Sequence, residues 1–247
     1  MIRILGHRGG RNLWPENSLQ GFRNAIGLGV DAVEFDVHLS ADDEIVVIHD
    51  PTLERTTHGE GLVAQRTAAE LGCTRLRGSE EGVPTFKATL DIFEGGSTGL
   101  FVEIKTDTLG RAYRGLEKRV LAAVAKRNMT ARTTLVSFVP ETLEAARIIE
   151  PSIGLLAPLF RATSQMLGGV PAMLERLERI PGCLISVQRD MLWTSREYFS
   201  ERLPADRFCV GVTNDATELD YWMTQPVFQV GSDRPDLALA ARQRHSR

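Results

Sequence analysis

The chain has 247 residues, with 29 Lys plus Arg against 32 Asp plus Glu, a formal net charge of -3, and 43% hydrophobic and 25% charged residues. These values exclude a collagenous, coiled-coil, disordered or disulfide-stapled chain, and the slightly acidic balance gives no bulk attraction to nucleic acid or an anionic membrane. A chain of this length buries roughly 70 to 75% of its unfolded surface, enough for one large core.

Three cysteines, Cys73, Cys183 and Cys209, are far apart and form no CxxC or Cys/His metal spacing, which points to a reduced compartment. The opening MIRILGHRGG turns to glycine and charge too soon for a signal peptide, and no apolar run approaches ~18 residues. The expectation is a soluble cytoplasmic protein with no membrane insertion.

In chain order, nine short apolar runs read as strands: residues 2–5, 32–37, 45–48, 100–104, 134–138, 153–157, 183–187, 208–212 and 227–230. Most are continuously apolar, the pattern of strands covered on both faces. Between them, residues 17–27, 109–127, 141–149, 171–179, 195–203 and 216–222 show helical patterns. The first starts at Asn17 as a cap, carries Gln20 three residues later and ends at Gly27 and Gly29.

Strand then helix, repeated, predicts a parallel sheet. The exception is the connection between residues 37 and 45, which is too short for a parallel crossover and must be a hairpin. Setting aside its returning strand leaves eight parallel strands, the count of a (β/α)8 TIM barrel, at a length typical of that fold. The glycine-containing stretch 51–99 is too long for an ordinary loop and reads as a small insertion over the barrel mouth, within a single domain spanning 1–247.

Sites in such barrels lie at the carboxyl ends of the strands. There the sequence has Gly6-His7-Arg8-Gly9, Glu34-Phe35-Asp36, His49-Asp50 and Glu103-Ile104-Lys105. Strand alternation puts Glu34 and Asp36 on one face, and likewise Glu103 and Lys105. A hairpin turn centred near residues 41–43 sets His49 opposite Asp36 or Phe35, level with the carboxylates, with His7 facing it across the mouth.

Three gathered carboxylates repel one another unless a cation lies among them. An all-oxygen set suits Mg²⁺, Ca²⁺ or Mn²⁺ better than Zn²⁺. Arg8 and Lys105 add fixed positive charge for an anion. Carboxylates, a cation, two histidines and two basic side chains describe metal-assisted cleavage of a phosphodiester. The plainer alternative is a structural network of buried ion pairs, which needs neither histidine.

The remaining histidines read as surface. His38 shares the parity of Asp36 but lies toward the hairpin tip, His58 sits in a glycine-containing loop, and His245 falls in a basic tail, 242–247, expected to be solvated or frayed. Glu16 and Asn17 read as a helix start. Asp50 and Asp233 either orient His49 and a loop or serve turns.

The ordered set His7-Arg8-Gly9, Pro15-Glu16-Asn17-Ser18, Glu34-Phe35-Asp36-Val37, His49-Asp50, Arg55-Thr56-Thr57 and Glu103-Ile104-Lys105 resembles the glycerophosphodiester phosphodiesterase family. The resemblance is dense over residues 3–105 and thin afterwards, returning at Ser137-Phe138 and Ser232-Asp233-Arg234-Pro235. It implies a (β/α)8 barrel, His7 and His49 as the general acid/base pair, Glu34, Asp36 and Glu103 as ligands of one divalent cation, and Arg8 and Lys105 as phosphate contacts. It also implies a small soluble glycerophosphodiester as substrate, released as sn-glycerol 3-phosphate and an alcohol.

One departure stands out. Members often carry Trp-Thr-x-Asn on a late strand, where this chain has Gly211-Val212-Thr213-Asn214. Phe138, Arg189 and Trp193 are the candidates to line the pocket in place of the absent tryptophan. Two other readings remain: a phospholipase D-like lyase acting on lipid, against which the polar insertion argues, and a barrel that binds phosphodiesters without cleaving them.

Overall fold

The computed structural model describes residues 1–246. Eight parallel strands close into a barrel: β1 (Arg3–Gly6), β2 (Ala32–Leu39), β4 (Gly99–Ile104), β5 (Thr133–Val136), β6 (Gly154–Leu159), β7 (Cys183–Val187), β8 (Phe208–Val210) and β9 (Gln229–Ser232). Each pairs in parallel with the next, and β9 returns to β1 through Arg3 opposite Gln229 and Gly6 opposite Ser232. The ninth strand, β3 (Ile45–Val47), runs antiparallel on the far part of β2, with Val37 opposite Val47 and Leu39 opposite Ile45. All nine apolar runs are strands, and the (β/α)8 barrel with its hairpin is the fold.

The helices are α1 (Leu19–Leu28), α2 (Ala68–Cys73), α3 (Phe86–Phe93), α4 (Leu116–Ala125), α5 (Pro140–Ile149), α6 (Arg161–Gln165), α7 (Val170–Glu178), α8 (Arg189–Arg202), α9 (Ala216–Trp222) and α10 (Pro235–His245). Strand alternation sorts the core. Leu5, Ala32, Phe101, Val136, Leu156 and Cys209 pack together inside the barrel, while Ile4, Val33, Phe35, Leu100, Val102, Leu135 and Ile185 face the helices.

Several expected boundaries shift. The stretch 51–99 is not all insertion, because α3 supplies the crossover between the parallel strands β2 and β4 that such a connection needs. Thr85 caps it by accepting from Ala88 N. Its Phe86 and Phe93 join Phe22 and Phe35 in an aromatic cluster with ring centroids 5.4 to 6.1 Å apart. The part before it has its own small core of Val46, Ile48, Leu53, Val63, Leu71, Leu76 and Val83.

The first helix is capped by Ser18, whose hydroxyl accepts from Gly21 N, and not by Asn17. The expected 109–127 helix begins only at Leu116, and the expected 195–203 helix begins at Arg189, with non-helical backbone at Ser195. The basic tail is helical rather than frayed through His245: Arg242 bonds Asp31 and donates to the Ile2 carbonyl. Arg247 lies outside the described residues. Among the described residues no helix is long and apolar enough to cross a membrane.

Candidate active site

The inward faces of β2 and β4 create the site. Register sets Glu34 beside Phe101 and Asp36 beside Glu103, so above the apolar floor of Ala32 and Phe101 the next inward residues are acids. All three are buried. One oxygen from each of Glu34, Asp36 and Glu103 lies within 4.8 Å of the others. Lys105, one inward step beyond Glu103, brings Nζ to 2.6 Å from Glu103 Oε1 and 3.4 Å from Asp36 Oδ1.

The β1 end supplies the opposite wall. After Gly6 the chain makes a tight turn in which Arg8 takes left-handed φ, ψ of 50° and 35°, a conformation that L side chains adopt at a cost. That cost is offset by Arg8 N donating to Glu34 Oε2 at 2.9 Å and by Arg8 Nη1 donating to Glu16 Oε1 at 3.0 Å. Gly9 has φ of +78°, and a Cβ there would come within 2.9 Å of Phe22 Cδ1. Glycine at position 9 is therefore a requirement of the backbone.

Asn17 also has positive φ, 56°. It turns its amide inward, donating from Nδ2 to Asp36 Oδ2 at 2.9 Å and accepting from Asp36 N at 3.3 Å. Its place in the sequence suggested a helix cap, and its two-way bond to a strand residue has no local signal.

Each histidine at the mouth is oriented by a carboxylate. His7 Nδ1 lies 2.6 Å from Asp233 Oδ1, and His49 Nδ1 lies 2.6 Å from Asp50 Oδ1. Both aspartates sit at about 2: burial opposes their ionisation, but Arg55 and His49 overcome it at Asp50, and His7, Asn214 and Arg11 at Asp233. An ionised carboxylate only accepts, so Nδ1 carries hydrogen in both rings and Nε2 is left for proton transfer. His7 Nε2 lies 3.8 Å from Glu34 Oε2. Burial holds His49 below the usual imidazole value, which favours the neutral form able to take a proton near neutral pH.

The carboxylate cluster divides its charge unevenly. Burial, with Asp36 and Glu103 alongside, pushes Glu34 well above the carboxylate range. Asp36 is held low despite its burial by Lys105, His49 and Arg8 and by the Asn17 amide. Glu34 Oε1 and Asp36 Oδ1 are buried and accept no hydrogen bond. A buried oxygen without a hydrogen bond is costly, and these two, with the Lys105 ammonium 3.4 Å from Asp36 Oδ1, are donors of the kind that a hard divalent cation would take. The residues present fit that ion.

The cavity above the acids has a volume of about 400 Å³. His7, Arg8, Glu34, His49, Glu103 and Lys105 are among its polar lining. Phe138, Phe160, Pro158 and Val212 are among its apolar lining, with Lys105 Nζ 6.0 Å over the Phe138 ring and the Phe138 and Phe160 rings edge to face at 5.1 Å. Arg189 reaches the rim but is paired with Glu218 at 2.5 Å.

Trp193 is not part of this pocket: it is half-exposed and stacks against Tyr221 and Trp222 at 5.4 and 5.8 Å. Phe138 and Arg189 do line the cavity, and Gly211 itself admits no side chain, because a Cβ there would lie 2.8 Å from the Val187 carbonyl oxygen. The neighbouring Asn214 keeps a role, donating from Nδ2 to Asp233 Oδ2 at 2.9 Å.

His38 is the other correction. It is fully buried rather than solvated, bonded on both ring nitrogens, and burial lowers it to about 4. His49 falls where the register set it: extending the β2–β3 pairing puts it opposite Phe35, and Ile48 N donates to Asp36 O at 3.1 Å.

Comparison with known proteins agrees with the fold. The family model of the glycerophosphoryl diester phosphodiesterase family matches residues 7–177. A glycerophosphodiester phosphodiesterase of Caldanaerobacter subterraneus is 32% identical over 161 residues, covering 62% of this chain and 65% of that protein. The matched part thus spans just under two thirds of that relative's length.

Among solved structures, a glycerophosphodiester phosphodiesterase from Agrobacterium tumefaciens superposes with a TM-score of 0.75 at 26% identity, over 97% of this chain and 100% of the other. An Oleispira antarctica phosphodiesterase, solved with the product sn-glycerol-3-phosphate, superposes with a TM-score of 0.79 at 23% identity, over 98% and 96% of the two chains.

Proposed function

The chain belongs to the glycerophosphoryl diester phosphodiesterase family, and from that premise we propose that it is a metal-dependent phosphodiesterase cleaving a soluble glycerophosphodiester to sn-glycerol 3-phosphate and an alcohol. The observation that carries this reading is the buried cluster of Glu34, Asp36 and Glu103 with two unsatisfied carboxylate oxygens, flanked by two histidines that each have a free Nε2.

Glu34, Asp36 and Glu103 would hold one Mg²⁺, Ca²⁺ or Mn²⁺, which supplies Lewis-acid charge to the phosphate and its attacking hydroxyl. Arg8 and Lys105 line the same cavity and bind phosphate oxygens, the first as a planar fork and the second as a point charge. Their positive charge opposes the negative charge that grows as phosphorus becomes five-coordinate. One imidazole takes the proton of the attacking hydroxyl, that of a water molecule whose oxygen bonds to phosphorus, and the other gives a proton to the alkoxide that departs as its P–O bond breaks, each typically worth about 10² to 10⁴ in rate. Asp233 and Asp50 keep both rings in the tautomer that presents Nε2.

The Phe138–Phe160 wall and the Arg189 rim face the departing alcohol. A reducing, cytoplasmic setting is supported by Cys73, Cys183 and Cys209, all of which are free.

The test is hydrolysis of glycerophosphocholine with added Mg²⁺, Ca²⁺ or Mn²⁺, against the same protein with excess chelator. The expected result is turnover that requires the ion and falls by at least ~100-fold in His7→Ala and in His49→Ala. Near-normal turnover in either variant would overturn the assignment of that histidine. Ion-dependent ligand binding with no turnover in the wild-type protein would favour a binding barrel instead.

A further inference from the structure

His38 is buried at the end of β2, on the same inward face as Asp36, yet the chemistry above does not use it. Its Nε2 lies 3.0 Å from the main-chain carbonyl oxygen of His49, and its Nδ1 lies 2.8 Å from the Tyr113 hydroxyl. The two rings meet edge to face at 5.7 Å. A carbonyl oxygen only accepts, so the ring hydrogen is on Nε2, and Nδ1 accepts from the Tyr113 O–H.

These two bonds join three segments. β2 carries Asp36, and the segment after β3 carries His49. Tyr113 belongs to the connection between β4 and α4, which leaves the barrel after Lys105 and is closed on itself by a bridge between Thr106 and Ala112.

His49 needs such a brace because of where it lies. The β2–β3 ladder ends with Ile48 N donating to Asp36 O, and His49 is one residue past that point. Its side-chain partner Asp50 is bonded in turn to Arg55, which is exposed on the insertion. The buried support of the His49 main chain, among the described residues, is the hydrogen bond from His38.

We propose that His38, oriented by Tyr113, is a positioning residue that sets the location of the His49 imidazole relative to the carboxylate cluster. The proposal rests on the reading of His49 as one of the proton-transfer groups. An apolar side chain at position 38 would fill the space but let the His49 carbonyl, and the ring attached to it, move away from the reacting geometry, where a displacement of about 1 Å costs roughly 100-fold.

A double-mutant cycle tests it, with bis(p-nitrophenyl) phosphate as substrate and saturating Mg²⁺. His38→Leu is expected to lower kcat by roughly 10- to 100-fold with KM changed less than about twofold, comparable to the loss of an outer-shell partner. His38→Gln, whose amide can still donate to the His49 carbonyl, is expected to recover most of that loss, and Tyr113→Phe to show a smaller one. In the His49→Ala background, His38→Leu is expected to change the residual kcat by less than about twofold, because there is no imidazole left to position.

An equal fold-loss in both backgrounds, or an unchanged kcat in His38→Leu, would overturn the proposal. If His38→Leu does not fold, the same cycle is run with Tyr113→Phe, and an equal fold-loss in both backgrounds there is equally fatal.

A second readout needs neither substrate nor metal. In ¹⁵N-histidine-labelled protein near neutral pH, one imidazole should show the Nε2–H tautomer with an exchange-protected proton, lost in His38→Gln. An Nδ1–H tautomer at His38 would refute the bonding argued here. If His49→Ala keeps near-normal turnover, the proton-transfer reading fails by itself, and the spectroscopic result still reports on His38.

Discussion

Replacing Asp233 by Asn tests the part of the site with the clearest electrostatics. Its carboxylate is fully buried and accepts from His7 Nδ1 at 2.6 Å, pairs with Arg11 Nε at 2.9 Å and accepts from Asn214 Nδ2 at 2.9 Å. Those partners lower it from 3.8 to about 2 against the opposing effect of burial. The difference, about 1.8 units, corresponds to roughly 2 kcal/mol of stability at neutral pH, an upper figure because Arg11 is partly exposed to solvent.

The sign follows from the depressed value. The contribution is complete above the unfolded value of 3.8 and is lost as pH falls through about 2. Urea denaturation of wild type and Asp233→Asn should therefore differ by about 2 kcal/mol at pH ~7 and by about 1 kcal/mol less at pH ~3. Turnover should fall by roughly 10² to 10⁴, because an amide no longer fixes hydrogen on His7 Nδ1. A stability difference that stays flat from pH ~7 to ~3, or full activity in the variant, would refute the reasoning.

Three further outcomes follow from the packing. Asn17→Ala removes both bonds to Asp36 and should weaken divalent-cation binding, measured by calorimetry, by about 10- to 100-fold; unchanged affinity would mean that Asp36 needs no holder. Phe93→Ala, in the aromatic cluster with Phe22 and Phe35, should cost about 3 to 5 kcal/mol in urea unfolding, and a cost below about 1 kcal/mol would place α3 outside the barrel's core. Gly211→Ala brings a Cβ to 2.8 Å from the Val187 carbonyl and should lower the melting temperature by several degrees for about 1 to 3 kcal/mol of overpacking; a neutral result would show that β8 can shift to admit a side chain.

The parts of this molecule legible in the sequence are those fixed by strand periodicity. The nine strands follow from short, mostly continuous apolar runs, the hairpin from the length of one connection, and the inward parity of Glu34, Asp36, Glu103 and Lys105 from strand alternation. What was hidden depends on contacts between distant segments. α3 lies in a stretch rich in glycine, and its local signs are the capping Thr85 and the spacing of Phe86, Leu90 and Phe93. Asn17 looks like a cap because it precedes a helix, and only the folded chain reveals that its amide reaches 19 residues along to Asp36. His38 has the parity of a site residue, but the loop that buries it, through Tyr113, is 75 residues away. Trp193 sits in the chain after a barrel strand, as a pocket residue should, yet α8 already begins at Arg189 and turns the indole toward α9.

The insertion reaches the carboxylate cluster by a chain of charges rather than by covering it. Asp50 holds His49 and receives Arg55 Nε at 2.5 Å. The other end of that guanidinium forks onto Glu16 at 2.8 and 2.9 Å, and Glu16 also receives Arg8 at 3.0 Å. Arg8 in turn lies against Asp36 at 3.5 Å and donates its main-chain N–H to Glu34, beside His7. The two histidines are thus the ends of one alternating ionic path through β1, the segment before α1 and the insertion. Its exposed link, Arg55, adds little energy taken as a single pair, but its planar fork fixes the angle between two carboxylates as a lysine could not. The insertion is thereby tied through Arg55 and Glu16 to Arg8 and through Asp50 to His49.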